Sequence, residues 1–410
     1  MKFRSSLILL FTTSIVLVHA QYPGINEDID HNRKGQLIIK ARPGAKVVVE
    51  QLSHEFLFGA AISNGLAGDN WSAENQKQYR EKFLLNFNSA VTENAVKWLS
   101  MEREQGKVNY TVVDGILAWA EANHIPLRGH NIFWGIEKFV QPWLKTMSNE
   151  ELEKTLKDRA HDIAGRYKGR FIEYDLNNEM IHGNYYEQRL GHDITKKMAA
   201  WVHEADPTAR LYLNDYDILT GKWLDKYMAQ IRDLLSQGVP IAGIGVQGHL
   251  HGDTFDREAL KRSLDSLAIF GLPIKVTEFN VPGQRSRYVQ NDTAKMSPEQ
   301  ELQKASEIID YYKICFAHPA VESILMWGFW AGANWIPESS LYRRDWSPTP
   351  AAAAYHKLIF QDWWTSTSGI MDRDGAAVIP AFYGTYRVSV DGVEKMVNLK
   401  KEKGVETVAF

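Results

Sequence analysis

An eightfold alternation of short apolar runs and longer amphipathic segments constrains this chain more than any other feature. The apolar runs predict buried parallel strands, at residues 56–62, 89–92, 127–133, 172–177, 211–214, 243–247, 274–277 and 323–327. The segments between them place apolar residues on one helical face, and they include 72–86, 149–167, 195–205, 221–237, 257–270 and 298–317. Eight strand–helix units in succession predict an α/β fold in which a parallel sheet closes into a (β/α)8 barrel.

An open, doubly wound sheet is the alternative fold for such a pattern. Sheets of that kind often carry a Gly-x-Gly-x-x-Gly turn directly after the first strand. No such turn follows residues 56–62 in this chain of 410 residues. The repeating region also has the length that a closed barrel ordinarily needs, about 250 residues or more.

Both ends of the chain differ from the barrel pattern. Residues 36–51 and 381–410 alternate apolar and polar side chains as half-buried strands do, and Asp391-Gly392 marks a turn between two of them. We therefore predict a small β-module that the two termini build beside the barrel. The predicted boundaries are 21–55 for the extended amino-terminal segment, 56–364 for the barrel and 365–410 for the carboxyl-terminal strands.

Residues 1–20 carry the pattern of a secretory signal peptide. Lys2 and Arg4 precede a short apolar run, and Val18-His19-Ala20 offers small residues where a signal peptidase cuts. That run is too short to span a bilayer and no later stretch is longer, so we expect no membrane segment. We expect a secreted, extracellular protein, and glycosylation sequons at Asn70, Asn109 and Asn291 agree with that expectation.

Residue counts narrow the classes of partner. The 47 Lys and Arg residues against 50 Asp and Glu residues give a net charge of -3, which leaves no basic excess for general nucleic-acid binding. Cys315 is the only cysteine, so no intramolecular disulfide can form, and its apolar neighbours predict a buried thiol. The 13 tryptophans either fill the core or stack on a neutral ligand.

Polar and aromatic residues gather where the predicted strands end. The active site of a (β/α)8 barrel forms at the carboxyl ends of its strands. One polar residue in an apolar run is usually a satisfied structural group, but seven consecutive strand ends of this kind indicate a site. In strand order the residues are Glu93, Asn94, Lys97, then His130, Trp134, then Asn178, Glu179, then Asn214, Asp215, Tyr216, then Gln247, His249, then Glu278, and finally Trp327.

Glu179 and Glu278 are the carboxylates best placed for catalysis. They follow the fourth and seventh predicted strands, which face one another across a barrel of eight. Two carboxyls that flank a glycosidic bond can protonate the leaving oxygen and either attack the anomeric carbon or activate water. Taken alone, each glutamate could equally well form a structural ion pair with a nearby Lys or Arg.

Six sequence motifs follow one another along the predicted barrel. They are 93–98 (ENAVKW), 128–134 (RGHNIFW), 174–179 (YDLNNE), 245–249 (GVQGH), 276–280 (VTEFN) and Trp327-Gly328 with Trp335. On these motifs the chain, from about Phe56 to Trp364, resembles glycoside hydrolase family 10, the retaining endo-β-1,4-xylanases. The amino-acid sequence at residues 129–134 and 178–191 is most similar to that of the plant-type branch of the family.

The resemblance implies a role for each of these residues. Glu179 would be the general acid and then the general base, and Glu278 the nucleophile, with their carboxyls about 5–5.5 Å apart. Asn178 would donate to the sugar 2-hydroxyl, and His249 would hold Glu278 by a hydrogen bond. The other substrate-binding residues would be Glu93, Asn94, Lys97, His130, Trp134, Gln247, Trp327 and Trp335.

The implied partner is xylan or a xylo-oligosaccharide. Trp335 would also crowd a hydroxymethyl group and so favour xylose over glucose. The resemblance implies no cofactor and no metal ion, and we expect a monomer that binds neither nucleic acid nor membrane.

Two positions depart from the family pattern. Gly135 stands where many members have a histidine, which would alter the glycone subsite. Asn280 stands where many members have an aspartate, which keeps a hydrogen-bonding group but removes a negative charge. The loop 329–334 lacks the polar residues common there, and its Trp330 is either a further sugar platform or a packing residue.

Three alternative functions remain at this point. The same barrel could act as a β-1,4-glucanase, since Gly135 and the loop 329–334 differ from the family pattern. It could instead be a carbohydrate-binding protein with weak or lost catalysis, although both glutamates are present. A metal hydrolase using His249-Leu250-His251 is the least favoured, because no third ligand is evident beside these two histidines.

Overall fold

The computed structural model describes residues 24–250, 254–280 and 296–410. The predicted signal peptide, His251 and the sequon at Asn291 lie outside these residues. The strands in the described part are β1 Lys34–Lys40, β2 Lys46–His54, β3 Leu57–Ile62, β4 Ser89–Thr92, β5 Leu127–Gly129, β6 Phe133–Trp134, β7 Glu173–Asn178, β8 Leu211–Asp215, β9 Ile241–Val246, β10 Ile274–Phe279, β11 Val321–Met326, β12 Ser366–Ile370, β13 Ala376–Phe382, β14 Gly384–Val390, β15 Val393–Leu399 and β16 Val405–Ala409.

Strands β3 to β11 form one closed parallel sheet, which confirms the predicted (β/α)8 barrel. The order is β5-β4-β3-β11-β10-β9-β8-β7-β6, and an additional pairing of β5 with β7 closes the ring. The third barrel position is shared by β5 and β6, with His130 and Asn131 in the interval between them. The other seven strands begin and end within two residues of their predicted positions.

Helices connect successive barrel strands and cover the outside of the sheet. Those at Asn149–Arg166 and Pro298–Ala317 begin with complete capping boxes, in which Ser148 pairs with Glu151 and Ser297 with Gln300. Cys315, on the second of these helices, is buried as predicted. The α-helices are Ile25–Arg33, Ala73–Asn86, Trp98–Met101, Thr111–Ala122, Pro142–Lys145, Asn149–Arg166, Tyr185–Leu190, Ile194–Ala205, Leu224–Ser236, Arg257–Ala268, Pro298–Ala317 and Pro350–Lys357.

The terminal strands form the predicted β-module as two small sheets. In one sheet β1 lies between β13 and β16, and in the other the order is β12-β2-β14-β15. Leu37 and Ile39 of β1, Val49 of β2 and Val388 of β14 share one apolar cluster, so the sheets pack face to face. The hairpin between β14 and β15 turns at Asp391-Gly392, both with positive φ (48° and 87°), as the sequence indicated.

A helix at Ile25–Arg33 precedes the first strand, within the segment that we expected to be extended. Its last residue, Arg33, is buried and donates to the carbonyl oxygens of Phe316, His318 and Val321 at 2.5, 2.6 and 2.7 Å. The helix carries only two apolar residues, so its sequence has almost no helical periodicity. Its place depends on these tertiary contacts, which local patterns do not encode.

Among the described residues, no helix combines the length and the apolarity that crossing a bilayer requires.

Candidate active site

A cavity of about 420 Å³ opens at the carboxyl ends of the barrel strands. Of the predicted site residues, all but Asn178 line it. Asn178 lies beside the cavity, where its side chain contacts Asn214. The lining residues are Glu93, Asn94, Lys97, His130, Trp134, Ile136, Lys138, Phe139, Glu179, Tyr216, Gln247, His249, Glu278, Trp327 and Trp335.

Glu179 follows β7 at a sharp change of chain direction. Its φ of 60° lies in the left-handed region, which residues other than glycine adopt rarely and mostly at functional sites. Trp134 Nε1 donates to its Oε2 and Gln247 Nε2 donates to its Oε1, both at 2.9 Å. Burial raises the pKa of Glu179, and the negative charge of Glu278 raises it further, against the smaller opposing effect of these hydrogen bonds.

Glu278 lies on β10 and is only 4% exposed. His249 Nε2 is 3.0 Å from its Oε2, and Asn214 Nδ2 donates to its Oε1 at 3.0 Å. Burial alone would raise the pKa of Glu278, but the hydrogen bond with His249 and the charges of His130, His249 and Lys97 hold it below its ordinary value. The Glu278 carboxyl is therefore ionised under conditions in which Glu179 still carries its proton.

Asn280 completes the hydrogen-bonded set behind Glu278. Its Oδ1 is 2.5 Å from His249 Nδ1, and its Nδ2 donates to Ser339 Oγ at 3.1 Å and to the Trp327 carbonyl at 3.4 Å. These two acceptors orient the amide so that its oxygen faces the imidazole. Both ring nitrogens of His249 thus face oxygen atoms that can accept a hydrogen bond.

Asn214, at the fifth strand position, joins the two sides of the site. Its Nδ2 donates to Glu278 and also to Asn178 Oδ1 at 3.0 Å, while its Oδ1 accepts from Thr277 Oγ1 at 2.5 Å. The amide nitrogen of Asn178 is buried and has no hydrogen-bond partner among the described residues. An unpartnered buried donor beside Glu278 is suited to a ligand hydroxyl group.

Lys97 follows the second barrel strand, and its side chain is held between aromatic rings. Its ammonium lies 4.9 Å from the centroid of the Trp134 ring and 5.5 Å from that of Trp327, and it donates to Asn94 Oδ1 at 3.0 Å. Burial lowers the pKa of Lys97, against the opposing charges of Glu278 and Glu93. Burial likewise raises the pKa of Glu93.

A buried cluster of charged residues supports the site from inside the barrel. His130 Nδ1 is 2.8 Å from Asp175 Oδ2, and Arg128 bonds to both Asp175 and Glu173. Lys275 Nζ bonds to the second oxygen of Glu173 at 2.5 Å. The charges are paired, as buried ions must be, and they fix the ring of His130 at the base of the cavity.

Three residues that line the cavity were not anticipated from the sequence: Ile136, Lys138 and Phe139. Asn214 and Tyr216 were identified by their position at the end of the fifth strand, although the family resemblance assigned them no role. Phe139 stacks on Trp134 with ring centroids 3.8 Å apart. Nothing in the local sequence indicates this contact, because it depends on the path of the loop after β6.

The structure changes the interpretation of Gly135 and of Trp330, two positions that differ from the family pattern. A Cβ on Gly135 would lie 3.2 Å from the Tyr186 ring and 3.3 Å from the Tyr185 nitrogen, so this position faces the next loop and does not line the cavity. Trp330 is 4% exposed and stacks on Trp346 at 4.2 Å, which assigns it to packing.

The metal alternative rested on His249-Leu250-His251, and His251 lies outside the described residues. His249 has both ring nitrogens in hydrogen bonds with Glu278 and Asn280. No group of three or more potential metal ligands occurs in residues 24–250, 254–280 or 296–410.

A (β/α)8 barrel whose strand ends bring two carboxyls to one cavity, one with a raised pKa and one with a lowered pKa, has the arrangement of a glycoside hydrolase. Glycosyl hydrolase family 10 matches residues 49–358, and the chain belongs to that family.

Similar curated proteins occur in both plants and bacteria. The chain is 35% identical over 382 residues to Endo-1,4-beta-xylanase 1 of Arabidopsis thaliana, covering 90% of this chain and 38% of that protein. It is 34% identical over 373 residues to Anti-sigma-I factor RsgI6 of Acetivibrio thermocellus, covering 89% of this chain and 46% of that protein. The chain therefore spans less than half the length of these two relatives.

Solved structures agree in fold. Xylanase 10B from Thermotoga petrophila, in complex with xylobiose, aligns with a TM-score of 0.67 and 25% sequence identity, covering 75% of this chain and 95% of that one.

Proposed function

We propose that this protein is an endo-β-1,4-xylanase that cleaves internal bonds of xylan by double displacement, with retention of anomeric configuration. The observation that carries the proposal is a pair of buried carboxyls in one cavity, Glu179 bonded to neutral donors and Glu278 to His249, so that the pKa is raised at the first and lowered at the second. Such a pair supplies a general acid and an ionised nucleophile at the same pH.

In the first step a carboxylate oxygen of Glu278 attacks the anomeric carbon, and the glycosidic bond breaks. Glu179 gives its proton to the departing oxygen, so the leaving sugar departs as a neutral alcohol. In the second step Glu179, now ionised, takes a proton from water. The resulting hydroxide attacks the same carbon and releases Glu278, which restores both carboxyls to their starting states.

Contacts around Glu278 support binding of the sugar that is attacked. The free Nδ2 of Asn178 would donate to the 2-hydroxyl, an interaction that strengthens in the transition state. Glu93, Asn94 and Lys97 line the same cavity and offer hydrogen-bonding groups for the remaining hydroxyls. Trp327 would cover an apolar sugar face.

The choice of xylose over glucose is proposed to depend on Trp335. This residue lines the cavity and contacts His249 edge to face at 5.2 Å, so it narrows the space beside Glu278. A glucose unit adds a hydroxymethyl group that would meet this ring. The xylanase names of several relatives support the same choice.

Two assays test the proposal. Reducing-sugar release should be large on xylan and small on carboxymethylcellulose, whereas the reverse order would favour the glucanase alternative. Binding of xylan without turnover would favour a carbohydrate-binding protein. Proton NMR of the first products should show the β-anomer before mutarotation, and initial formation of the α-anomer would exclude retention.

Secretion is proposed on the amino-terminal pattern alone. Expression of the full chain in a secreting cell should place the protein in the medium, with its first residue near Gln21. Retention of residues 1–20 on an intracellular product would contradict this proposal.

A further inference from the structure

His182 lies in the turn that follows Glu179. It takes no part in the two chemical steps proposed for Glu179 and Glu278. Its backbone N–H donates to the Glu179 carbonyl at 3.0 Å, which closes the turn. Its ring stacks on that of Tyr216 with centroids 3.6 Å apart and an interplanar angle of 12°. Trp223 meets the same ring edge to face at 5.5 Å. The imidazole is therefore held between two aromatic residues.

Asp215 connects this ring to the backbone on both sides. Its Oδ1 is 2.6 Å from His182 Nδ1 and accepts the Tyr216 N–H at 2.9 Å, while its Oδ2 accepts the Ile181 N–H at 3.0 Å. One buried carboxylate thus ties the turn after Glu179 to the residue after β8. His182 supplies the only side chain among the described residues that hydrogen-bonds this carboxylate.

The position of Tyr216 in the barrel indicates which part of the substrate it serves. Lys97 and its neighbours, proposed to bind the attacked sugar, belong to the second barrel strand. Tyr216 directly follows the fifth strand, which is adjacent to the strand that Glu179 follows, and it lines the cavity. Because Glu179 must face the leaving oxygen, we expect a ring at the end of the neighbouring strand to lie on the leaving-group side.

We propose that His182 is a positioning residue: paired with Asp215, it fixes the Tyr216 ring and the turn after Glu179 on the leaving-group side of the cavity. This inference rests on the proposed xylanase activity. Without the stacked imidazole, the Tyr216 ring would lose one of the contacts that orient it, and the departing sugar would be oriented less well.

Two substrates separate this role from a purely structural one. Xylotetraose places sugar rings on the leaving-group side, whereas β-xylobiosyl fluoride has a leaving group with no ring and little need of a proton. We expect His182→Ala to lower kcat/KM for xylotetraose about two- to tenfold, and that for the fluoride much less. An equal loss on both substrates, or no loss, would overturn the proposal.

Conservative variants test the two contacts separately. His182→Asn retains a donor for Asp215 without a ring, and His182→Phe retains a ring without a donor. Each should recover part of the activity on xylotetraose that alanine loses, and failure of both to do so would count against the pair. Thermal melting of each variant verifies folding, so that Asn and Phe remain informative if the alanine variant does not fold.

Tyr216→Ala completes the test as a double-mutant cycle. If His182 acts through Tyr216, the losses of the two single variants on xylotetraose will not add in the double variant. Additive losses would contradict the proposal. A wild-type enzyme inactive on both substrates would instead refute the proposed xylanase function itself, so the two failures are distinguishable.

Discussion

Glu179 and Glu278 face one cavity and are both buried, yet their neighbours differ in charge. Glu179 receives hydrogen bonds from two neutral groups, the indole of Trp134 and the amide of Gln247. Glu278 lies near His249, His130 and Lys97, all of which can carry positive charge. Burial acts on both carboxyls in the same direction, so the surrounding charges determine which one loses its proton first.

The comparison shows how a barrel can assign opposite roles to two copies of one side chain. The charged neighbours come from the second, third and sixth barrel positions and converge on the seventh, where Glu278 lies. The fourth position receives only neutral donors. Substitutions that remove or reverse parts of this difference in charge should have effects of decreasing size, from loss of the nucleophile to loss of one neutral donor.

Removal of the nucleophile should have the largest effect. We expect Glu278→Ala to lower kcat on xylan by at least about 10⁴-fold, because no covalent intermediate can form. Added azide should restore turnover of an activated aryl xylobioside and yield a product of inverted configuration. The isosteric Glu278→Gln serves as control and should be equally inactive without azide. Rescue with retained configuration would place the nucleophile elsewhere.

Removal of the acid should have an effect that depends on the leaving group. We expect Glu179→Ala to lower kcat/KM on xylan by roughly 10²–10⁴-fold, whereas aryl xylobiosides with acidic phenols should lose far less. Phenols of that kind depart without a proton. Equal losses on the two types of substrate would count against Glu179 as the acid.

A negative charge behind His249 should move the pH profile. Asn280→Asp adds a carboxylate next to the imidazole, and a new negative charge disfavours loss of protons from every nearby acid. We expect the profile of kcat/KM to shift toward higher pH by roughly half a unit, with activity retained. Asn280→Ser, which adds no charge, is the control. An unchanged pH profile for the aspartate variant would show that a charge at position 280 does not affect the pKa values of the two carboxyls.

Loss of one neutral donor to Glu179 should have the smallest effect. The hydrogen bond from Trp134 stabilises the ionised form, so Trp134→Phe should raise the pKa of Glu179 further. The acid then stays protonated to higher pH, and we expect the alkaline limb of kcat/KM to move upward by a few tenths of a unit, roughly. Trp119→Phe, on a helix outside the cavity, is the matched control. A downward movement of this limb would contradict the assignment.

Strand ends could be read from the sequence because two simple rules act together. Apolar runs locate the barrel strands, and parallel closure brings all their carboxyl ends to one rim. Gln247 and Trp327, 80 residues apart in sequence, could therefore be assigned to one cavity. Asn214 and Tyr216 obey the same rule, since both stand at the end of the fifth strand.

Contacts made by loops could not be read in this way. Phe139 covers one face of Trp134, so this tryptophan is a hydrogen-bond donor to Glu179 more than an open platform. Gly135 also proved to face the chain at 184–186. Both results depend on how one irregular segment crosses another, which neither periodicity nor local propensity describes.

The two β-module sheets have a consequence for the time course of synthesis. Lys34 of β1 pairs with Phe382 of β13, and Glu50 of β2 pairs with Ser366 of β12. Each amino-terminal strand therefore pairs with a strand that is synthesised more than 300 residues later. At about 5–20 residues per second a ribosome needs roughly 15–60 s for that interval. Strands β3 to β11 leave the ribosome within the same interval. The barrel can therefore close before the first-made strands find their partners, and any halt in translation before residue 366 would leave those strands exposed.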